Sequence, residues 1–183
     1  MSKYKCLNRK LKLSNQRFNI IFDTVIENKK KISNFLIVKP KIQKKNKVVG
    51  ICVLPIKNKK YGLMKVYRHQ FRDYVYQFIT GFVEKKETPE TTAVRELFEE
   101  TGLVCKKKNL ISLGYYIPDA GLIEGKIKLF LAKDCVLKKN EKIFEVGIGK
   151  ILFYNKKKLL NILNDKNFSG SSEATFYRAL KYS

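Results

Sequence analysis

The chain has 183 residues, 44% hydrophobic and 12% aromatic, which suits one domain with a substantial core and a small appended element. Lysine and arginine number 39 against 16 acids, a formal net charge of +23. No stretch approaches the roughly 18 apolar residues of a membrane-spanning helix, so no membrane partner is expected.

The first residues, MSKYKCLNRKLKLS, are basic but lack an apolar h-region, so they are not read as a secretory signal. Their shortage of acids leaves a transit peptide open. Cys6, Cys52, Cys105 and Cys135 have neither metal-ligand spacing nor the density of a disulfide framework, and a reducing cytoplasm is expected. Only six of the 39 basic residues are Arg. That skew is what an A/T-rich coding sequence produces, whereas a nucleic-acid binder normally uses Arg for bidentate phosphate and base contacts. The excess charge still steers anionic substrates and attracts polyanions, so nucleic acid is kept as an alternative partner.

Residues 1–45 hold two acids, Asp23 and Glu27, among thirteen basic residues. Arg17 to Ile26 and Ile32 to Ile42 read as two strands around the polar turn at Glu27–Lys30. A hairpin cannot bury both faces alone, so it should pack on the main domain or on a second subunit. Residues 46–183 are read as that main domain. Val48 to Ile56 is nearly all apolar, as a buried central strand is. Tyr61 to Phe71 and Tyr74 to Thr80 follow as strands. Leu110 to Ile117 and Ile127 to Ala132 pair around a Pro118–Gly121 loop. A last strand near Lys150 to Tyr154 leads to an amphipathic helix capped by Asn155, with Leu159, Leu160 and Leu163 inward, and a final helix spans about Ser172 to Tyr182.

Between these strand groups lies Gly81 to Leu103, GFVEKKETPETTAVRELFEETGL. Thr88 suits an N-cap, Pro89 the first helical position and Gly102 a left-handed C-terminal residue, which predicts a helix from Pro89 to Thr101. Ala93, Val94, Leu97 and Phe98 share an apolar arc, and Glu96, Glu99 and Glu100 fill the neighbouring one. Six of the sixteen acids fall within these 23 residues of a very basic chain. The carboxylates repel one another, and a hard divalent cation such as Mg²⁺ or Mn²⁺ would relieve that. Metal binding is therefore favoured over a solvated acidic face.

The stretch resembles the Nudix box, G-x5-E-x7-R-E-U-x-E-E-x-G-U, with Gly81, Glu87, Arg95, Glu96, Leu97, Glu99, Glu100, Gly102 and Leu103 at its fixed positions. Similarity to Nudix hydrolases implies an α+β fold, an α/β/α sandwich with a mixed central sheet, here with a small N-terminal β-hairpin element. It implies metal-dependent hydrolysis of a nucleoside diphosphate linked to another group, using Mg²⁺ or Mn²⁺. By the same resemblance the metal ligands are Glu96, Glu99, Glu100 and the Thr80 carbonyl, with Glu99 and Glu100 catalytic. Gly81, Glu87, Arg95 and Gly102 are then structural.

Gln70-Phe71-Arg72 resembles the Q-[FY]-R segment of the ADP-ribose pyrophosphatases, which puts Gln70 and Arg72 on the substrate. Pro118 lies sixteen positions past Gly102, as the marker proline of that subgroup does, and is read as a substrate-binding position. Gln77 and Ile79 stand where the subgroup carries an acid and a proline. The resemblance also implies a homodimer through the N-terminal strands. It implies a general base on a loop ahead of the Asn155 cap; of Glu141 and Glu145, counting back ten positions selects Glu145. ADP-ribose would give AMP and ribose 5-phosphate. Alternatives are a nucleotide sugar, NADH, a dinucleoside polyphosphate or capped RNA as substrate, or a non-catalytic nucleotide- or RNA-binding regulator.

Overall fold

The computed structural model describes residues 4–138 and 149–182. Two compact units divide them: the described part of Met1–Val49 with Ile117–Lys126, and Gly50–Tyr116 with the described part of Ile127–Ser183.

The first unit is built on three antiparallel strands in sequential order, Lys5–Ser14 (β1), Phe18–Glu27 (β2) and Lys30–Pro40 (β3). Asn28 and Lys29 both have positive φ, 47° and 66°, the geometry a two-residue turn needs to match strand twist. The expected hairpin is thus present, and β1 adds a third strand. Two register shifts along β1, between Cys6 and Asn8 and between Leu11 and Leu13, break its period-two alternation, which hides it from pattern reading. Arg9 anchors it by donating from Nε (2.9 Å) and Nη2 (2.7 Å) to the two carboxylate oxygens of Asp23, which is only 3% exposed. The segment around Pro118 belongs to this unit. Val38 N–H donates to Leu122 O (2.9 Å) and Glu124 N–H to Val38 O (3.0 Å), while the Glu124 carboxylate pairs with Lys47 at 3.0 Å.

The second unit holds a seven-stranded sheet. Its strands are Val48–Lys57 (β4, whose first two residues belong to the other unit), Lys60–Arg68 (β5), Asp73–Gln77 (β6) and Ile79–Phe82 (β7). Pro89–Thr101 (α1) and the short Leu103–Val104 (β8) follow, then Leu110–Tyr116 (β9), Lys126–Ala132 (β10, whose first residue belongs to the other unit) and Val136–Leu137 (β11). Leu152–Tyr154 (β12), Lys156–Asp165 (α2) and Gly170–Ala179 (α3) complete it. The main path runs β12-β5-β4-β10-β9, with β6 on β5 and β7 on β4, and β8 pairs with β11 apart from it.

Both faces of β4 are covered, which is why it reads as an unbroken apolar run. Cys52 and Leu54 meet Leu63, Leu129 and Leu131 and the α2 and α3 side chains Leu159, Leu163, Phe176 and Ala179. Ser172 on α3 ties this layer to the sheet, its Oγ accepting from Phe78 N–H at 2.9 Å. Alternation turns Ile51 and Val53 to the opposite face, where α1 packs near β7 with Ala93 and Leu97 fully buried. Each such buried large side chain contributes about 1.5–3 kcal/mol. Helices on both faces make the α/β/α sandwich, and α1 is the layer that carries the acids.

Candidate active site

β7 sets the floor of the site. It pairs antiparallel with β4, Ile51 opposite Gly81 and Cys52 opposite Thr80, so the Thr80–Gly81 peptide is held by the central strand. A Cβ at Gly81 would stand 2.0 Å from Glu96 Oε1 and 2.1 Å from its Cδ. The Glu96 carboxylate therefore lies on the bare Cα of Gly81, beside the Thr80 carbonyl's own peptide.

The loop into α1 is closed by its own chemistry. Glu87 N–H donates to Glu84 O (3.0 Å), and Glu84 N–H returns to Glu87 Oε2 (3.3 Å). Thr88 caps the helix in a reciprocal box with Thr91: Thr91 N–H donates to Thr88 Oγ1 (3.2 Å) and Thr88 N–H to Thr91 Oγ1 (2.9 Å). At the far end Gly102 is left-handed (φ 68°) and its N–H reaches Phe98 O at 2.7 Å. The helix spans Pro89–Thr101, but its buried strip is Thr92, Ala93, Glu96 and Leu97. Val94 is 38% exposed and Phe98 half-buried, so the inward arc differs from the one the apolar pattern predicts. Glu96 takes a buried place because Gly81 leaves room for it.

Arg95 is the hub of the charges. Nε and Nη2 donate to the two oxygens of Glu87, at 2.6 and 3.1 Å; Nη1 lies 2.7 Å from Glu99 Oε2 and 2.9 Å from Glu96 Oε1. With a donor bond from Thr92 Oγ1 as well, Glu87 is held down at about 2, Arg95 being the main cause. The carboxylates in turn push the Arg95 guanidinium above its ordinary value. One guanidinium thus offsets part of the mutual repulsion of three acids and fixes the loop before the helix to the helix itself.

Among the described residues no three His, Cys, Asp or Glu side chains form a closed cage for an ion. The donor set still fits a hard cation. Glu96, Glu99 and Glu100 offer carboxylate oxygens from adjacent turns, Glu100 Oε2 is shut off from solvent, and the Thr80 carbonyl lies at the floor. Mg²⁺ commonly takes one or two carboxylates and leaves its remaining positions to water and substrate phosphates, which an open set of this kind permits.

The structure does not bring every expected residue to this cluster. Gln70 and Arg72 lie in the exposed turn between β5 and β6, Arg72 with φ 50°, and no hydrogen bond or ion pair among the described residues joins them to the acids. Pro118 belongs to the first unit. Glu145 and Glu141 lie outside the described residues. A connection that the sequence pattern does not reveal runs from Arg68, whose Nε (3.1 Å) and Nη2 donate to Gln77 Oε1, to Gln77 Nε2, which donates to Thr80 Oγ1 at 3.2 Å. Gln77 is 3% exposed. The β5–β6 register sets Gln77 opposite Met64 and Arg68 opposite Asp73, so this bond is a diagonal reach of the arginine side chain that neither sequence spacing nor register announces.

A family profile described as NUDIX domain matches residues 45–133. The ADP-ribose pyrophosphatase of Bacillus subtilis is 34% identical over 86 residues, 46% of this chain and 45% of that protein. A CMP-5'-(N-acetyl-N-hydroxy-3-aminopropyl)phosphonate hydrolase of Streptomyces rubellomurinus is 29% identical over 85 residues, 45% of this chain and 40% of that one. The NAD-capped RNA hydrolase of Saccharomyces cerevisiae is 38% identical over 61 residues, 33% of this chain and 13% of that protein. The chain thus spans less than half the length of these curated relatives. A crystal structure of an ADP compounds hydrolase superposes with a TM-score of 0.81 at 16% identity, covering 100% of this chain and 95% of that one, a likeness of fold.

Proposed function

This chain belongs to the Nudix superfamily, and on that premise we propose that it hydrolyses the diphosphate of ADP-ribose, giving AMP and ribose 5-phosphate. The observation that carries the reading is the seat of Glu96 on Gly81, with Arg95 gathering Glu87, Glu96 and Glu99 beside it. Glu96, Glu99, Glu100 and the Thr80 carbonyl would hold Mg²⁺ or Mn²⁺. A bound divalent ion supplies charge neutralisation on the diphosphate and acidifies water. Arg95 and Glu87 keep the acids in position without touching substrate. Arg72 suits a phosphate contact because its planar fork donates two parallel hydrogen bonds, with Gln70 also on the substrate. Glu145 takes the proton of the attacking water, Glu141 being the alternative acid. We further propose a homodimer through the N-terminal strands and a cytoplasmic location. No helix among the described residues is long and apolar enough to cross a membrane.

The net charge of +23 favours capped RNA as the second substrate reading. A panel of ADP-ribose, nucleotide sugars, NADH, dinucleoside polyphosphates and NAD-capped RNA, each with Mg²⁺ or Mn²⁺, separates these by product release. AMP release from ADP-ribose in clear excess of the others supports the first reading. Turnover confined to capped RNA replaces it with the second, and no turnover of any member favours the non-catalytic regulator.

A further inference from the structure

Cys105 and Cys135 are separated by 29 intervening residues, yet the fold sets them face to face. β8 and β11 pair antiparallel through Val104 opposite Val136 and Leu103 opposite Leu137, so the next pair in register is Cys105 with Cys135. The hydrogen bonding gives the kind of pair. Lys138 N–H donates to Gly102 O at 2.9 Å, which makes 102/138 a hydrogen-bonded pair and, by alternation, 105/135 a non-hydrogen-bonded one. Consistent with that, Cys135 N–H turns away from β8 and donates to Ile56 O at 2.8 Å. At such positions facing Cα atoms lie about 4.5 Å apart, inside the roughly 4.4–6.8 Å that a disulfide spans. Both thiols are free, and the Cys135 thiol donates to Ala132 O at 3.3 Å.

We propose that Cys105 and Cys135 form a redox-active dithiol, which a low-molecular-weight disulfide such as oxidised glutathione converts to an intramolecular disulfide closing the β8–β11 ladder. Cys105 is the attacking thiol. It is half-buried and is followed directly by the exposed Lys106, Lys107 and Lys108, which draw an anionic oxidant to it. Cys135 is buried, 3% exposed. The influence of each thiol on the other lowers Cys105 and raises Cys135, in keeping with the same order. The Cys105 thiolate attacks one sulfur of the oxidant and expels the first thiolate. The Cys135 sulfur, yielding its proton, then attacks the Cys105 sulfur of the mixed disulfide and expels the second. Two protein S–H bonds are lost and one S–S bond forms; two electrons reduce the oxidant, and its two thiolates take up the two protons. The staple joins a ladder of only two residue pairs, directly after the C-terminal glycine of the helix bearing Glu99 and Glu100.

The test uses the reduced full-length protein, exposed to oxidised glutathione, alkylated and mapped by mass spectrometry. Expected are the loss of two of the four free thiols, a Cys105–Cys135 linked peptide, and a Tm rise of about 5–10 °C that a reductant reverses. Cys135→Ser should stop at the mixed disulfide on Cys105, and Cys105→Ser should form no linked peptide. A mixed disulfide that persists on Cys105 of the unmutated protein, a linkage through Cys6, or four thiols intact after oxidation would each overturn the proposal. Mapping the unmutated protein distinguishes these outcomes even where a variant at buried Cys135 fails to fold.

Discussion

The Glu96 carboxylate rests on the bare Cα of Gly81, at the place where any other residue would put its Cβ. A strand and a helix are thereby fitted to each other through one absent side chain, and the acid is aimed along the Thr80–Gly81 peptide. Gly81→Ala forces the carboxylate aside, because 2.0 Å is far inside any real contact. A shift of about 1 Å in a reacting geometry can cost about 10²-fold in rate. The variant should therefore stay folded and lose about that much kcat. An unchanged kcat for a folded Gly81→Ala protein would show that the Glu96 position is not used.

Glu100→Gln keeps shape and removes a charge from the acidic cluster. Turnover should fall below about 1% of the starting rate, within the range expected when one key charged group in a catalytic site is lost. The thermal stability of the ion-free protein should hold or rise, since repulsion among Glu96, Glu99 and Glu100 is reduced. Added Mg²⁺ or Mn²⁺ should raise the Tm of the parent protein more than that of the variant. Equal metal-induced shifts would remove Glu100 from the ligand set.

What could be read ahead of the structure was the chemistry that acts over a few residues. Thr88, Pro89 and Gly102 give the limits of α1 because caps and proline work locally, and the Glu27–Lys30 turn, with Asn28 at positive φ, is marked for the same reason. What could not be read depends on partners distant in sequence. The burial of Glu96 in place of Val94 follows from Gly81, fifteen residues earlier on a strand. β1 escapes because its register shifts destroy alternation, and β8 and β11, two residues each, are too short to carry a period. The meeting of Cys105 with Cys135 arises from strand register, which no local pattern reports, and the bond of Arg68 to Gln77 from an arginine side chain that reaches past its own register partner, Asp73.

Gln77→Glu tests the chain from Arg68 to Thr80. A glutamate there would exchange a neutral acceptor for a carboxylate facing the Nε and Nη2 donors of Arg68, and charge-assisted bonds are roughly twice as strong. The amide donor to Thr80 Oγ1 is lost, but the threonine hydroxyl can turn and donate instead. The variant should be about 1 kcal/mol more stable in urea unfolding. It should also hydrolyse ADP-ribose several-fold better in kcat/KM if an acid at this place serves that substrate. A loss of stability would mean that Arg68 does not compensate the buried charge.

The pairing of Glu87 with Arg95 carries a pH signature. The Glu87 carboxyl is lowered from 4.5 to about 2, chiefly by the Arg95 hydrogen bonds and further by Thr92 and the Glu84 backbone. A folded value below the unfolded one means that the pair stabilises the protein fully above about pH 4.5. That contribution is lost as pH falls from 4.5 towards 2. The shift corresponds to about 2 kcal/mol once the partial exposure of both side chains is discounted. Glu87→Gln removes the titrating charge, so the parent and variant should differ by about that amount in urea unfolding at pH 7. Their stabilities should converge as pH approaches 2.5. Because Arg95 also holds Glu96 and Glu99, the variant should lose about 10- to 100-fold in kcat at neutral pH, the usual effect of removing a group that orients metal-binding acids. A stability difference that stays constant from pH 7 to 2.5 would show that Glu87 stabilises the loop by shape and not by its charge.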